Sequence, residues 1–168
     1  WLCGGRSVAF HPGYYLGGSK DRVYEKVKGE LKAVVAELKS RGCGIMVRPE
    51  TTGKKSQFGD LHEIVRLSSE LEQVMPCIDY AHMHAREGKC NSRGEFNDIL
   101  AAVEKALGKE ALKDMHIQVA GVNYSGKGEL NHLDLEDSDL NYEGVVQSWK
   151  DYGIAGVVIS ESPNIEGD

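Results

Sequence analysis

Residues 74–86 read VMPCIDYAHMHAR: an apolar run from Val74 to Ile78 stops abruptly at Asp79, and His82 and His84 follow three and five positions later. Packing alone rarely ends a buried strand this way. A short, nearly unbroken apolar run fits a strand covered on both faces, as parallel sheets require. The same kind of run recurs in both directions along the chain. RSVAF (6–10) and GIMVR (44–48) precede it, and MHIQVAG (115–121) and AGVVISE (155–161) follow it. Between them lie helical periods. In residues 21–42, Val23, Val27, Leu31, Val34, Val35 and Leu38 recur at helical spacing, with Gly42 as the closing cap. Residues 61–73 continue the pattern behind Asp60 as an N-cap, and 96–108 and 142–153 complete it. Strand, loop and helix alternate throughout, which defines an α/β chain with a parallel sheet.

Composition bounds the rest. The 168 residues suit one domain, 1–168, and 40% apolar residues supply a real core. No run of about 18 apolar residues is present, so no membrane helix is expected. The opening WLCGG has neither the basic start nor the apolar stretch of a signal peptide. Cys3, Cys43, Cys77 and Cys90 show no paired spacing and read as reduced thiols in a cytoplasmic protein. A net charge of −6 argues against a broad basic surface for nucleic acid, although a local basic groove is compatible with it.

The chemistry collects where the strands end. The first run ends in His11, the second in Glu50, the third in Asp79 with His82 and His84 beyond it. The fourth carries His116 on its second residue, the loop after it holds Glu129 and His132, and the last ends in Glu161. In parallel α/β folds the carboxyl ends of strands converge on one rim, where active sites lie. Taken singly, a strand-end acid is usually a turn former or helix cap, and His62, inside a helix, reads as a bystander. Turn chemistry does not call for histidines and carboxylates together at five strand ends. That mixture is the donor set of Zn²⁺, Mn²⁺ and Fe²⁺, and acids gathered there without a cation would repel one another.

AFHPGYY (9–15), RPETTG (48–53), CIDYAH (77–82), MHIQVAG (115–121) and ISESP (159–163), in this order and spacing, resemble the endonuclease IV family of abasic-site endonucleases, most closely its archaeal-type members. The likeness runs from residue 6 to the last residue. It implies part of a (β/α)₈ TIM barrel, about five of eight strands, with up to three zinc ions at the C-terminal rim. It also implies hydrolysis of the DNA backbone at abasic sites, with Mn²⁺ as a possible alternative metal.

Carried over by motif, His11 resembles a ligand of the first metal and Glu50 the carboxylate bridging the first and second. Asp79, His116 and Glu161 match the remaining ligands of the second, and His82 and His132 match ligands of the third. The likeness makes Glu50 and Glu161 the catalytic carboxylates, and Lys54, Lys55 and Gln57 candidates for the DNA backbone. His84 matches no family ligand.

Two departures stand out. Where the family has an Asp-x-His pattern this chain has Leu130 before His132, and Glu129 either substitutes at a shifted register or leaves the third site weak. An aspartate at position 130 is expected to restore the short clamp. The chain also shows too few strands for a closed barrel. The missing strands are expected from the rest of a longer chain or from another copy. Two other readings remain open. A one-metal sugar isomerase or epimerase of the same barrel type would use Glu50, Asp79, His116 and Glu161 and leave His11, His82 and His132 superfluous. An inactive homologue would keep the barrel as a binding protein.

Overall fold

The computed structural model describes residues 1–168. Five parallel strands form its frame: β1 (Ser7–Phe10), β2 (Met46–Pro49), β3 (Cys77–Asp79), β4 (Met115–Val119) and, last in the chain, β7 (Gly156–Ser160). β1 pairs with β2, and β3 with β4 and then β7, all in parallel. Parallel bridges Val47–Val74 and Glu50–Cys77 join the two groups, so the strands lie in chain order as one open arc. This is a partial (β/α)₈ barrel. It matches the expected fold, and the expected strands fall at the expected places.

The helices α1 (Lys20–Ser40), α2 (Leu61–Glu70), α4 (Arg93–Leu107) and α5 (Tyr142–Tyr152) cover one side of the arc. Their starts follow from local chemistry. Asp60 and Glu63 form a reciprocal capping box on α2, and Ser92 and Glu95 form another on α4. The second box starts α4 three residues before the expected position 96. None of the helices is long and apolar enough to cross a membrane.

Strand alternation sorts the side chains. Val47 packs outward with Tyr24, Leu31, Phe58 and Leu67 of the first core cluster. Ile78 and Ile117 join Phe96, Leu100 and Val145 in the second. The intervening residues, among them Arg48, Cys77, Asp79, His116 and Gln118, face the concave side. The apolar layer therefore lies between strands and helices, and the polar residues are left to the inside of the arc.

Two elements lie outside the expectation. Residues Tyr80–Glu87 form a helix, α3, directly after β3. Six of its eight residues are buried, so no amphipathic period marks it. The Asp79 carboxylate caps it by accepting the His82 backbone N–H at 2.7 Å, and Gly88 ends it at φ 60°. The segment after β4, expected as a loop, is an antiparallel hairpin of β5 (Gly121–Ser125) and β6 (Gly128–Leu133).

Candidate metal centre

His82 is the hub of the rim. Asp79 fixes the start of α3, which places His82 in the first turn of the helix, 2% exposed. Its Nδ1 lies 2.9 Å from Glu50 Oε1, 3.0 Å from the Thr51 carbonyl oxygen and 3.4 Å from Asp79 Oδ2. Its Nε2 lies 3.4 Å from Glu129 Oε2. From β1, His11 Nε2 approaches Glu50 Oε1 at 3.0 Å. Two sets of donor atoms result, His11 with Glu50 and His82, and Asp79 with His82 and His132; within each, all atoms lie within 4.8 Å of one another.

The electrostatics are those of crowded acids balanced by imidazoles. Burial works to raise the Glu50 pKa, but hydrogen bonds to His11 and His82 overcome it and bring it down to about 2. Burial works to lower the His82 pKa, yet the charge of Asp79 and the hydrogen bond to Glu50 lift it to about 9. The Glu50 hydrogen bond also raises His11. Asp79 is pushed up by complete burial, reinforced by the nearby charges of Glu50 and Glu161. The proton on the His82 imidazole thus supplies positive charge that the carboxylates require.

A divalent cation fits these donors. His132 presents Nδ1 to the Glu161 carbonyl oxygen at 3.2 Å, while its Nε2 is buried and has no hydrogen-bond partner. Buried ring nitrogens are ordinarily satisfied, and a histidine anchored through one nitrogen is preset to offer the other to a metal. His132, His82 and Asp79 therefore suit one cation, with His11 and Glu50 beside it as donors toward a second; the neutral His82 ring has one free nitrogen and serves one of the two. The donor chemistry, imidazole and carboxylate, suits Zn²⁺ and Mn²⁺.

The hairpin explains how Glu129 joins. Asn123 faces Asn131 while Tyr124 faces Glu129, so Leu130 is an extra residue, a β-bulge. In a regular strand, positions 129 and 132 would point to opposite faces; one extra residue returns them to the same one. Glu129 thereby takes up the shifted register. Leu130, which occupies the place of the family's aspartate, is turned outward and is 57% exposed. The expectation that an aspartate at 130 completes the clamp is corrected by this bulge. Gly53 makes the approach possible: a Cβ there would lie 2.7 Å from Glu129 Cβ and 3.0 Å from His82 Cδ2.

The remaining candidates divide. Glu161 lies beside the second set, its carboxylate 4.0 Å from His132 Nδ1 and holding the Gln118 side-chain N–H at 2.5 Å. His116 belongs to neither set; it sits two residues before Gln118 on the same strand face, with Nδ1 3.3 Å from Ser7 Oγ. Burial and the positive charge of Arg48 lower its pKa. Lys54 and Lys55 reach the surface, Lys55 beside Glu87 at 3.1 Å. Gln57 points inward, 3% exposed, with Nε2 donating to the Tyr14 hydroxyl, so it is poorly placed for the expected DNA contact. His84 is buried against Asp139 rather than lining the donor sets. Gln118 was not foreseen. It accepts from the Cys77 thiol and donates to Glu161, and its one signal in the sequence is an amide in an otherwise apolar strand end.

Residues 2–168 match the xylose isomerase-like TIM barrel family, and the chain belongs to it. An uncharacterised protein of Methanocaldococcus jannaschii is 45% identical over 165 residues, covering 98% of this chain and 60% of that protein. A probable endonuclease 4 of Aquifex aeolicus is 24% identical over 146 residues, covering 84% of this chain and 51% of the relative. The kinship to endonuclease IV expected from the motifs is thus borne out. Among solved structures, the 3-keto-D-glucoside 4-epimerase of E. coli superposes with a TM-score of 0.57 at 18% identity, covering 96% of this chain and 57% of the epimerase, and shares the fold. The chain spans between 51% and 60% of the length of these curated relatives.

Proposed function

We propose that the protein is a metal-dependent phosphodiesterase that cleaves DNA at abasic sites, with Zn²⁺ or Mn²⁺ at the rim. The observation that carries this reading is the gathering of His11, Glu50, Asp79, His82 and His132 into two overlapping donor groups at one rim, more donors than the single cation that His82 ligates requires. When bound, divalent cations at such a rim neutralise the phosphate oxygens and acidify the attacking water. Asp79, His82 and His132 would hold one, and His11 and Glu50 would be donors toward another, with Glu129 and Glu161 at the margin. Up to three cations is the number the resemblance to endonuclease IV implies.

The chain's own groups fit the task. Glu50 contacts both His11 and His82, so its carboxylate sits where an attacking water would be oriented. Gln118 fixes the Glu161 carboxylate. Lys54 and Lys55, on the loop after β2, stand beside the rim where a DNA backbone would pass. The kinship to a probable endonuclease 4 supports the same reading. A one-metal isomerase would draw on His116 with Glu50, Asp79 and Glu161. That reading leaves His11, His82 and His132, which form the two donor groups, largely unused.

The test is nicking of a DNA duplex that carries one abasic site by the full-length protein, with Zn²⁺ or Mn²⁺ titrated from zero. Cation-dependent nicking, absent on the intact duplex and reduced about 100-fold or more by Glu50→Gln, is the expected result. No nicking at saturating metal would overturn the proposal.

A further inference from the structure

The hairpin that carries Glu129 and His132 is tied to the rest of the chain at a few points: the Glu129 N–H donates to the Gly53 carbonyl at 3.0 Å, the Val122 N–H to Ser138 Oγ at 2.9 Å, and His132 Nδ1 lies 3.2 Å from the Glu161 carbonyl. It pairs with no strand of the parallel arc, and a two-stranded hairpin alone is marginal in water. Its apolar anchor is a cluster of three small buried residues, Ala81, Ala85 and Val122, with Tyr124 against it. A polar relay lies beside that cluster. His84, buried in α3, donates Nδ1–H to the Lys89 carbonyl at 2.8 Å and presents Nε2 to Asp139 Oδ1 at 3.0 Å. The Tyr124 hydroxyl of β5 donates to the other oxygen, Asp139 Oδ2, at 2.8 Å. The His84 and Tyr124 rings meet edge to face, centroids 4.9 Å apart. His84 and His82 lie on the same short helix, and Tyr124 faces Glu129 across the hairpin.

We infer that Tyr124, Asp139 and His84 form a positioning clamp that locks the hairpin onto α3 and so sets Glu129 and His132 against His82. Resting on the metal-centre reading above, this makes the clamp a determinant of the second donor set and not of the first. His11, Glu50 and His82 come from β1, the end of β2 and α3 and do not involve the hairpin. The clamp residues touch no ligand atom; they act through the hairpin's placement.

The test is titration of the metal-free full-length protein with Co²⁺, read by its ligand-field absorption and by calorimetric stoichiometry, with circular dichroism as the fold control. Wild type is expected to take up at least two ions. Asp139→Ala and Tyr124→Phe should weaken one of them by about 10–100-fold, the loss typical when the partners that orient a ligand are removed, and leave the other unchanged. His132→Ala should weaken the same ion, and adding Asp139→Ala to it should cost nothing more, because both act on one site. Tyr124→Phe removes a single hydroxyl and carries the test even if Asp139→Ala fails to fold. Wild-type affinity and spectrum in Tyr124→Phe and in folded Asp139→Ala, or additive losses in the double variant, would overturn the clamp. Uptake of fewer than two ions by wild type would overturn the metal-centre reading, and the clamp with it.

Discussion

His82 ties pH to metal binding. Its folded pKa of about 9 lies above the ordinary histidine value, because Asp79 and Glu50 overcome the opposing effect of burial. In the metal-free protein the imidazole is therefore protonated throughout the neutral range, and a cation must displace that proton to reach the ring nitrogen. The sign is fixed: affinity rises with pH until about pH 9 and levels off above it. One displaced proton corresponds to about tenfold per pH unit, so binding should tighten on the order of 100-fold between pH 6 and pH 8. The raised pKa of His11 works in the same direction for the first donor set. Calorimetric titration with Mn²⁺ at both pH values, with proton release measured in buffers of different ionisation enthalpy, checks this. A pH-independent affinity would mean that His82 does not bind the cation.

At the scale of elements, α3 and the hairpin organise the site, and they are the parts least legible in the sequence. Four of the five strand ends announced themselves through apolar runs closed by His11, Glu50, Asp79 and Glu161. The helix after Asp79 did not, because Tyr80, Ala81, His82, His84, Ala85 and Arg86 are all buried and leave no polar face to make a period. Arg86 illustrates the point. It reads as a surface charge, yet it is 7% exposed and donates to the carbonyls of Thr52, Lys54 and Gln57, holding the loop after β2. The hairpin was hidden because β6 breaks the alternation of a strand at the bulge. The motif position of His116 matches the family, and in the structure its ring lies beside Ser7, one turn of the pleat before Gln118 and outside the two donor groups. The bulge also gives a prediction. Leu130→Asp adds a carboxylate on an outward-facing position, so the number of bound cations and their affinities should stay within about threefold of wild type. Tightening by tenfold or more in a cation titration would show that the side chain at 130 turns inward.

For the whole molecule, two apolar layers between strands and helices hold the polar concave side in place. Phe96, fully buried, packs in the cluster that joins α4 and α5 to β3 and β4. Phe96→Ala should destabilise the protein by about 3–5 kcal/mol, read as a lower urea midpoint with an unchanged slope. The donor sets lie at strand ends resting on that layer, so the loss should appear in stability before it appears in cation affinity. The arc leaves β1 and β7 paired on one side only, with Val8, Val158 and Ile159 exposed. Open edges and apolar surface of this kind invite pairing with further strands.

The central claim is that this rim is built for more than one cation. The number of divalent ions bound per chain, measured by elemental analysis of the purified full-length protein, tests it most directly. Two or more ions, falling when His82→Ala removes the histidine common to both donor sets, is the predicted result. A single ion or none, with His82→Ala unchanged, would contradict it.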